Sequence, residues 1–412
     1  MRSKITKEDL NNPARWHILL FKVFSSFTLA TIVLALMTLI TLYGTYYQVE
    51  HGLVEAKRKY FDSYFVVHKF FGIVPLPLPG GLLLMMLLFI NMVLGALIKV
   101  KKSWRGAGLL ISHLGMLMLL LGGYITWAKA TDGYIALYPG NESNQVQSYR
   151  KWQLEVMPLD EENRATEAHV ISSAALRKVR KDEKKQFALA DLPFDVVVNG
   201  FHRNANVIPT TIPVAADVKT RAIDGFKLAP QPLNTRAEQN LPGCYVAFEP
   251  AEGKPIETIL WAASYNFDPN GKPRPFIFEV DGKSYAAQLA KKTWQVPYSV
   301  RLDKFIFEKH PGTSTPRTFE SMITRIEEGR TDRPVNIKMN EPMRHGGYTF
   351  FQESYGPNSQ TPVPQMFSQF AVANNPSDQW PLYSLIVTGI GLTIHFLISL
   401  ILYIIRSFRR KS

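Results

Sequence analysis

RGAGLLISHLGMLMLLLGGYITWAK, residues 105–129, decides how the rest of the chain is read. Between Arg105 and Lys129 stand 23 residues without an Asp, Glu, Lys or Arg. At ~1.5 Å per residue that run crosses the hydrocarbon core of a bilayer as one helix. Gly108, Ser112, Gly115 and Gly122 recur at helical spacing, forming a stripe of small residues that lets a second helix approach closely. His113 lies about 140° from that stripe at ~100° per residue, so it points at something other than the closest-packed helix. An imidazole at this depth is costly unless it faces protein, water or a ligand.

Working outward, three more apolar stretches match it. Residues 23–49 carry no charge, residues 82–98 are a shorter charge-free run, and residues 379–405 are uncharged throughout. Basic clusters mark the ends. Residues 1–22 hold five Lys/Arg against two acids, residues 99–105 hold four and no acid, and residues 406–412 hold four and none. Because Lys and Arg accumulate on the cytoplasmic side of spanning helices, four crossings make the three placements consistent. The expected layout is a cytoplasmic N-terminus (1–22), spans at 23–43, 82–98, 106–128 and 379–405, a cytoplasmic loop (99–105) and a cytoplasmic tail (406–412). An outer interfacial loop (44–81) and a large outer domain (129–378) complete it. The fold class is therefore an integral membrane protein with four transmembrane helices and a large, mostly β extracytoplasmic domain.

Of the net charge of +13, most marks helix ends, the reverse of a nucleic-acid binder, which gathers charge on a folded surface. Cys244 is the single cysteine, which excludes an intrachain disulfide, a CxxC redox pair and a cysteine-based metal site. It reads as a buried, inert thiol. The first apolar run is too long for a signal-peptide core and lacks a small-x-small cleavage site, so no cleavable leader is expected.

Residues 44–81 are rich in aromatic residues (Tyr60, Phe61, Tyr64, Phe65, Phe70, Phe71) that suit the headgroup level. Pro75 to Gly81 prevents a helix there and feeds the second span. Beyond residue 128 the pattern turns to short alternating runs. Gly133–Tyr138 and Phe194–Val198 read as strands, as do Tyr298–Leu302 and Lys304–Glu308. Phe276–Val280, Asp281-Gly282 and Lys283–Ala287 read as a hairpin with a type I′ turn. Long helical periodicity is absent outside residues 320–329, and the charged stretch 177–186 reads as a solvated loop. Sandwich or barrel-like packing is the expected class.

Motifs of soluble enzymes are missing: no Walker A, no Rossmann glycine pattern, no HExxH and no GxSxG. Nor is there a CxxCH, so the chain is not itself a c-type cytochrome. Histidines are what remains. His113 reads either as an imidazole satisfied by a neighbouring hydroxyl or carbonyl, or as an axial ligand to haem iron, a common task of neutral imidazole. His395 is the second intramembrane histidine. Counting from Arg105 and Arg406, the two lie about 12 and 16 Å from their basic ends at ~1.5 Å per residue, a depth they can share. Thr388, Gly391 and Ser399 fall on the His395 face, which points it inward; taken alone, it reads as one polar residue on a packing face. His51 and His68 read as interfacial, with haem contact as the alternative.

The last feature is NEPMRHGGYTFFQESYG, residues 340–356. It holds a Pro-terminated turn, a Gly346-Gly347 reversal, and a strand with Tyr348, Phe350, Gln352 and Ser354 on one face against Thr349, Phe351, Glu353 and Tyr355 on the other. It reads as architectural, with Arg344 and His345 as candidate contacts to a haem propionate. This motif resembles the signature of the ResB/CcsB-type cytochrome c biogenesis proteins of System II. GTYYQ (Gly44, Thr45, Gln48) resembles the family's GTxxQ, Asn91 has a family parallel, and residues 108–123 resemble its histidine-bearing third span. The resemblance covers nearly the whole chain, most loosely in the middle of the outer domain.

The resemblance implies a bacterial inner-membrane protein with its large domain in the periplasm. It implies a CcsA/ResC-type partner bearing a tryptophan-rich WWD motif, which this chain lacks. It further implies transient binding of haem b, with His113 as the transmembrane axial ligand to the haem iron, and covalent attachment of haem to the CxxCH of apocytochrome c. The chain would then be one non-self-sufficient subunit of a haem lyase, with no catalytic residue assigned and no nucleic-acid partner. Two other classes stay open: a membrane electron-transfer subunit holding a permanent haem b between His113 and His395, and a non-catalytic scaffold.

Overall fold

The computed structural model describes residues 16–70, 74–100, 102–180, 183–213, 218–263, 274–313, 316–327, 330–331, 334–357 and 366–411. The basic N-terminus up to residue 15, Phe71, Lys101, residues 181–182 of the charged stretch and residues 328–329 lie outside them. Two compact units emerge: residues 1–131 with 374–412, and residues 132–373.

The first unit is helical. Its elements are α1 (Trp16–Phe24), α2 (Phe27–Ala56), α3 (Gly81–Asn91), α4 (Ala107–Lys129) and α5 (Trp380–Lys411). Four helical stretches are long and apolar enough to cross a membrane: Phe27–Phe61, Gly81–Ile98, Trp104–Lys129 and Trp380–Arg409. Between α1 and α2 the helix breaks at Ser25-Ser26, and Ser26 caps α2 by accepting from the Leu29 amide at 3.1 Å. The carbonyls freed by the break are met by side chains. Asn91 Nδ2 donates to Phe24 O at 2.7 Å and to Ser26 O at 2.9 Å, and Lys99 Nζ donates to Ser25 O at 3.1 Å. In an apolar surrounding such groups must be satisfied internally, which gives Asn91 a definite structural task.

Residues 44–61 depart from the loop expected there. The helix of α2 runs on to Ala56 and ends in a π-helical turn, Lys57–Phe61. No proline interrupts this stretch, and its one break is Gly52, whose φ of 80° a side chain would resist. Tyr60, one of the aromatic residues of this segment, is wholly buried with Val33, Ile40, Val66, Leu78 and Leu84. The aromatic character survives further on, where Tyr64 and Phe65 are exposed. A hairpin follows, Phe65–Phe70 against Val74–Pro79. Pro75, Pro77 and Pro79 face Lys69, Val67 and Phe65. Their period of two turns all three nitrogens away from the partner strand, so no ladder bond is lost.

The small-residue stripe of α4 packs on α5, as its spacing predicts. Gly108, Ser112, Gly115 and Gly122 are buried. A Cβ on Gly108 would stand 2.6 Å from Gly391 O, and one on Gly122 2.9 Å from Trp380 Cβ. Hydroxyls tie the seam: Ser112 Oγ donates to Thr388 O at 3.4 Å, Ser377 Oγ donates to Gly122 O at 2.9 Å, and Thr126 Oγ1 meets Ser377 Oγ at 2.7 Å.

The second unit is β. Its largest sheet has eleven strands, ordered through Pro316–Glu327, Lys283–Lys309, Glu142–Pro158, Thr131–Leu137, Met366–Asn374 and Tyr348–Pro357. Ile256–Trp261, Gly243–Pro250, Phe194–His202 and Lys184–Ala188 form a four-stranded sheet. One core lies between the two sheets, around Leu154, Val196, Val246, Phe248, Phe278 and Leu289. A second lies within the large sheet, around Val146, Tyr298, Val300, Ile323, Phe350 and Phe370, and a small third gathers Ala205, Leu228, Tyr245 and Ile259. Within the large sheet Ser321 Oγ bonds Gln352 Oε1 at 2.6 Å and Ser368 Oγ at 2.8 Å. These strands are remote in the pairing order, so the sheet curls as a barrel wall does.

Lys283–Lys309 serves the first two cores, Ala287 and Leu289 in one and Val296 to Leu302 in the other. Its pairing with Glu142–Pro158 shifts register between Gln295 and Val300, where Pro297 sits, as a proline in a strand requires. The Asp281-Gly282 turn has φ of 51° and 74° at its two residues, matching type I′. Residues 320–327 are strand, not helix: Ile323, Thr324 and Ile326 are β-branched and pair with Leu302, Arg301 and Ser299. The charged stretch ends as strand too, with Lys184–Ala188 on the edge of the four-stranded sheet. Cys244 is fully buried in the first core, and burial pushes its thiol up to about 12.

Candidate functional site

His113 sits in the second turn of α4, half-buried. Its Nδ1 lies 2.7 Å from Leu109 O, one turn back. A carbonyl can only accept, so this bond requires the proton on Nδ1. The neutral ring then keeps its lone pair on Nε2, the nitrogen left to bind a metal or accept a further bond. The geometry shows the first of the two readings, a nitrogen satisfied by a neighbouring carbonyl, and leaves Nε2 as the ring's acceptor.

His395 is placed differently. Its backbone N and Cα press against the Gly108 position of α4, within the packed seam. Its Nδ1 is buried with no hydrogen-bond partner in the described residues, and its ring stands 5.8 Å from that of Phe396, edge to face. Thr388 and Gly391 share the seam, whereas Ser399 is exposed. His113 projects from another face of α4, about 140° away by helical geometry. Among the described residues, no group of three or more His, Cys, Asp or Glu side chains is placed to hold a metal ion.

His51 and His68 are held by tyrosines. His51 stacks on Tyr47 with ring centroids 3.9 Å apart, and His68 stacks on Tyr43 at 4.0 Å. Tyr60 Oη lies 2.7 Å from His68 Nδ1. Burial, and then the Lys59 ammonium nearby, hold the His68 pKa below its usual value, which favours a neutral ring. His345 is tied into the β unit: its Nε2 lies 3.2 Å from Glu327 Oε2, and the Tyr298 hydroxyl donates to its carbonyl at 3.1 Å. Arg344 beside it is exposed. Gly346 and Gly347, with φ of 55° and 81°, make the two-residue reversal that pairs His345 with Tyr348.

Two cavities complete the candidates. In the β unit, Tyr149, Arg150, Lys291, Glu353 and Gln369 line a polar cavity of about 550 Å³. One ion pair lies within it, Arg150 with Asp132 at 2.9 Å, while Tyr149 donates to Glu353 at 2.6 Å and Lys291 donates to the Tyr134 hydroxyl at 2.9 Å. In the helical unit, α3 and α4 enclose an apolar cleft of about 380 Å³ lined by Phe61, Met86, Phe89, Leu120, Tyr124 and Trp127. Sequence reasoning missed this cleft. Its signal was present in the helical phase, because Leu120, Tyr124 and Trp127 follow His113 by 7, 11 and 14 residues and return to nearly the same face.

The residues around His113 fit a haem: an imidazole whose Nδ1 is held by the Leu109 carbonyl, on an apolar helix face outside the tightly packed seam. A family model described as the ResB-like family matches residues 277–367, a segment that contains the 340–356 motif. No curated protein matches the chain. The match bears out the ResB/CcsB-type resemblance over residues 277–367, and the ResB-like family is linked to cytochrome c biogenesis.

Proposed function

We propose that this chain is the membrane subunit of a System II cytochrome c synthase, assisting passage of haem b across the bacterial inner membrane and its attachment to the CxxCH of apocytochrome c. One observation carries the reading: the Leu109 carbonyl fixes the His113 tautomer with Nε2 available on an otherwise apolar face. His113 would hold the iron from one side, and its hydrogen bond orients the ring and raises its basicity. Haem b supplies the vinyl groups to which the two thiols add. His395, packed into the α4–α5 seam, serves the structure of the helix pair.

The basic clusters support an orientation with the N-terminus, residues 99–105 and the tail in the cytoplasm, and the β unit in the periplasm. A CcsA/ResC-type partner bearing the WWD motif would supply the opposing ligand and the outer reaction site, because this chain has no tryptophan-rich run. Co-purification tests the proposal. The wild-type chain with its partner carries haem b, and His113→Ala loses it while the two-protein complex still forms. Normal haem in that variant refutes the ligand role.

A further inference from the structure

We propose that the broken start of the first span binds the phosphate of an anionic lipid headgroup, held by Lys99, Ser25 and the free amides of α2. The proposal rests on the membrane reading above and not on haem ligation, so unchanged haem in His113→Ala would leave it standing. Its three donors come from separate places. The first is the N-terminus of α2, a helix of 30 residues. Ser26 Oγ takes the Leu29 amide, and the Ala30 amide reaches Ser26 O at 3.4 Å. The amides of Phe27 and Thr28 therefore stand outside the ladder, at the positive end of the helix dipole.

The second donor is Ser25, which is 5% exposed and whose Oγ is buried without a hydrogen-bond partner. A hydroxyl stranded in this way is destabilising until an acceptor reaches it. The third is Lys99. The π-helical turn Met92–Ile98 packs so closely on the break that a Cβ on Gly95 would stand 3.2 Å from Ser25 O. Lys99 follows at once, and its Nζ donates to that same carbonyl at 3.1 Å. An ammonium has two further N–H groups to give. The side chain is half-buried, and residues 16–43, 81–129 and 380–411 contain no Asp or Glu. An anion that balances it comes from outside these helices. Chain continuity selects which one. Phe27 opens one span and Ile98 closes the next, so break and ammonium share one membrane boundary, at the level of headgroup phosphates. A phosphate carries oxygens enough for the ammonium, the hydroxyl and the amides together. A headgroup of net negative charge balances Lys99, whereas the choline of a zwitterionic lipid brings a cation of its own.

Native mass spectrometry of the full-length chain gives the test. The protein is presented in detergent with equimolar phosphatidylglycerol and phosphatidylcholine, and the first lipid retained per chain is identified. Wild type should retain phosphatidylglycerol in preference to phosphatidylcholine. Lys99→Met should weaken that preference by about fivefold or more, the effect of one cation beside an anionic headgroup, and Lys99→Arg should keep most of it. Ser25→Ala deletes only an unpartnered hydroxyl, so the fold is retained, and it should weaken the preference by about threefold or more. Lys102→Met, at an exposed cation, should change it by less than about twofold. Thermal melts confirm that each variant is folded. No preference in wild type overturns the proposal. An unchanged preference in both Lys99→Met and Ser25→Ala overturns it too. Equal losses in Lys99→Met and Lys102→Met would make the attraction a diffuse one and end the case for a site. Displacement of the lipid by excess inorganic phosphate would hand the site to a free anion and overturn the lipid assignment.

Discussion

Replacing Asn91 with leucine isolates what holds the broken first helix together. The side chain is buried, and Nδ2 makes two hydrogen bonds, 2.7 Å to Phe24 O and 2.9 Å to Ser26 O. Leucine matches its size and suits an apolar surrounding, so packing and transfer favour the variant. The loss lies in the two carbonyls. Side-chain hydrogen bonds between membrane helices average about 0.6 kcal/mol and reach about 1.7. Two bonds to one donor therefore set the loss at roughly 1–3 kcal/mol. For a unit of this size, roughly 2–4 °C of melting temperature accompanies each kcal/mol, which gives a fall of about 2–12 °C. The assay is thermal unfolding in nanodiscs, with limited proteolysis at Ser25-Ser26 as the local readout. An unchanged melt and an unchanged cleavage rate in Asn91→Leu would refute the assignment of Asn91 as the cap of this break.

Fusions of a topology reporter at residues 103 and 409 should report cytoplasm, and fusions at 60 and 250 the periplasm; a cytoplasmic signal at 250 would end the four-span layout. Cys244→Ser should leave cytochrome c maturation intact, and the native thiol should resist alkylation at neutral pH. The thiol's pKa is raised from 9.0 to about 12 by burial, so its contribution to stability is complete below pH 9 and is lost as pH climbs through about 12; rapid labelling of folded protein at pH 8 would contradict this. Gly108→Ala should open the α4–α5 seam and lower the melting temperature, because its Cβ would press on the Gly391 carbonyl and the His395 backbone. Gly123→Ala, with open space at its Cβ, should be neutral or stabilising, and equal effects of the two would refute the packing argument.

The spans were legible because a charge-free run of sufficient length is a complete signal in itself. The Gly108–Gly122 stripe was legible because close approach needs small residues at one phase. Strands announced themselves by alternation, and Asp281-Gly282 by its turn chemistry. What escaped was decided elsewhere in the chain. The extension of α2 to Ala56 depends on Tyr60 folding back to be buried beside Ile40 and Leu84, a contact that local composition does not encode. The division between the core around Leu289 and the core around Val296 falls at the register shift between Lys291 and Thr293, which a period of two conceals. Residues 320–327 gave a weak helical period, and the pairing of Ile323 and Thr324 with Leu302 and Arg301 overrode it. At the site, His113 could be picked out by its cost in lipid. The Nδ1 bond that prepares it needs only its own helix, whereas the cleft needs α3 as a second wall.

The central claim is that Nε2 of His113 binds haem iron, and the visible spectrum of the purified complex tests it most directly. The account predicts a low-spin haem b signature in wild type that His113→Ala abolishes, that added imidazole partly restores by filling the vacated position, and that His395→Ala leaves largely in place. An unaltered spectrum in His113→Ala, or an equal loss in His395→Ala, would contradict it.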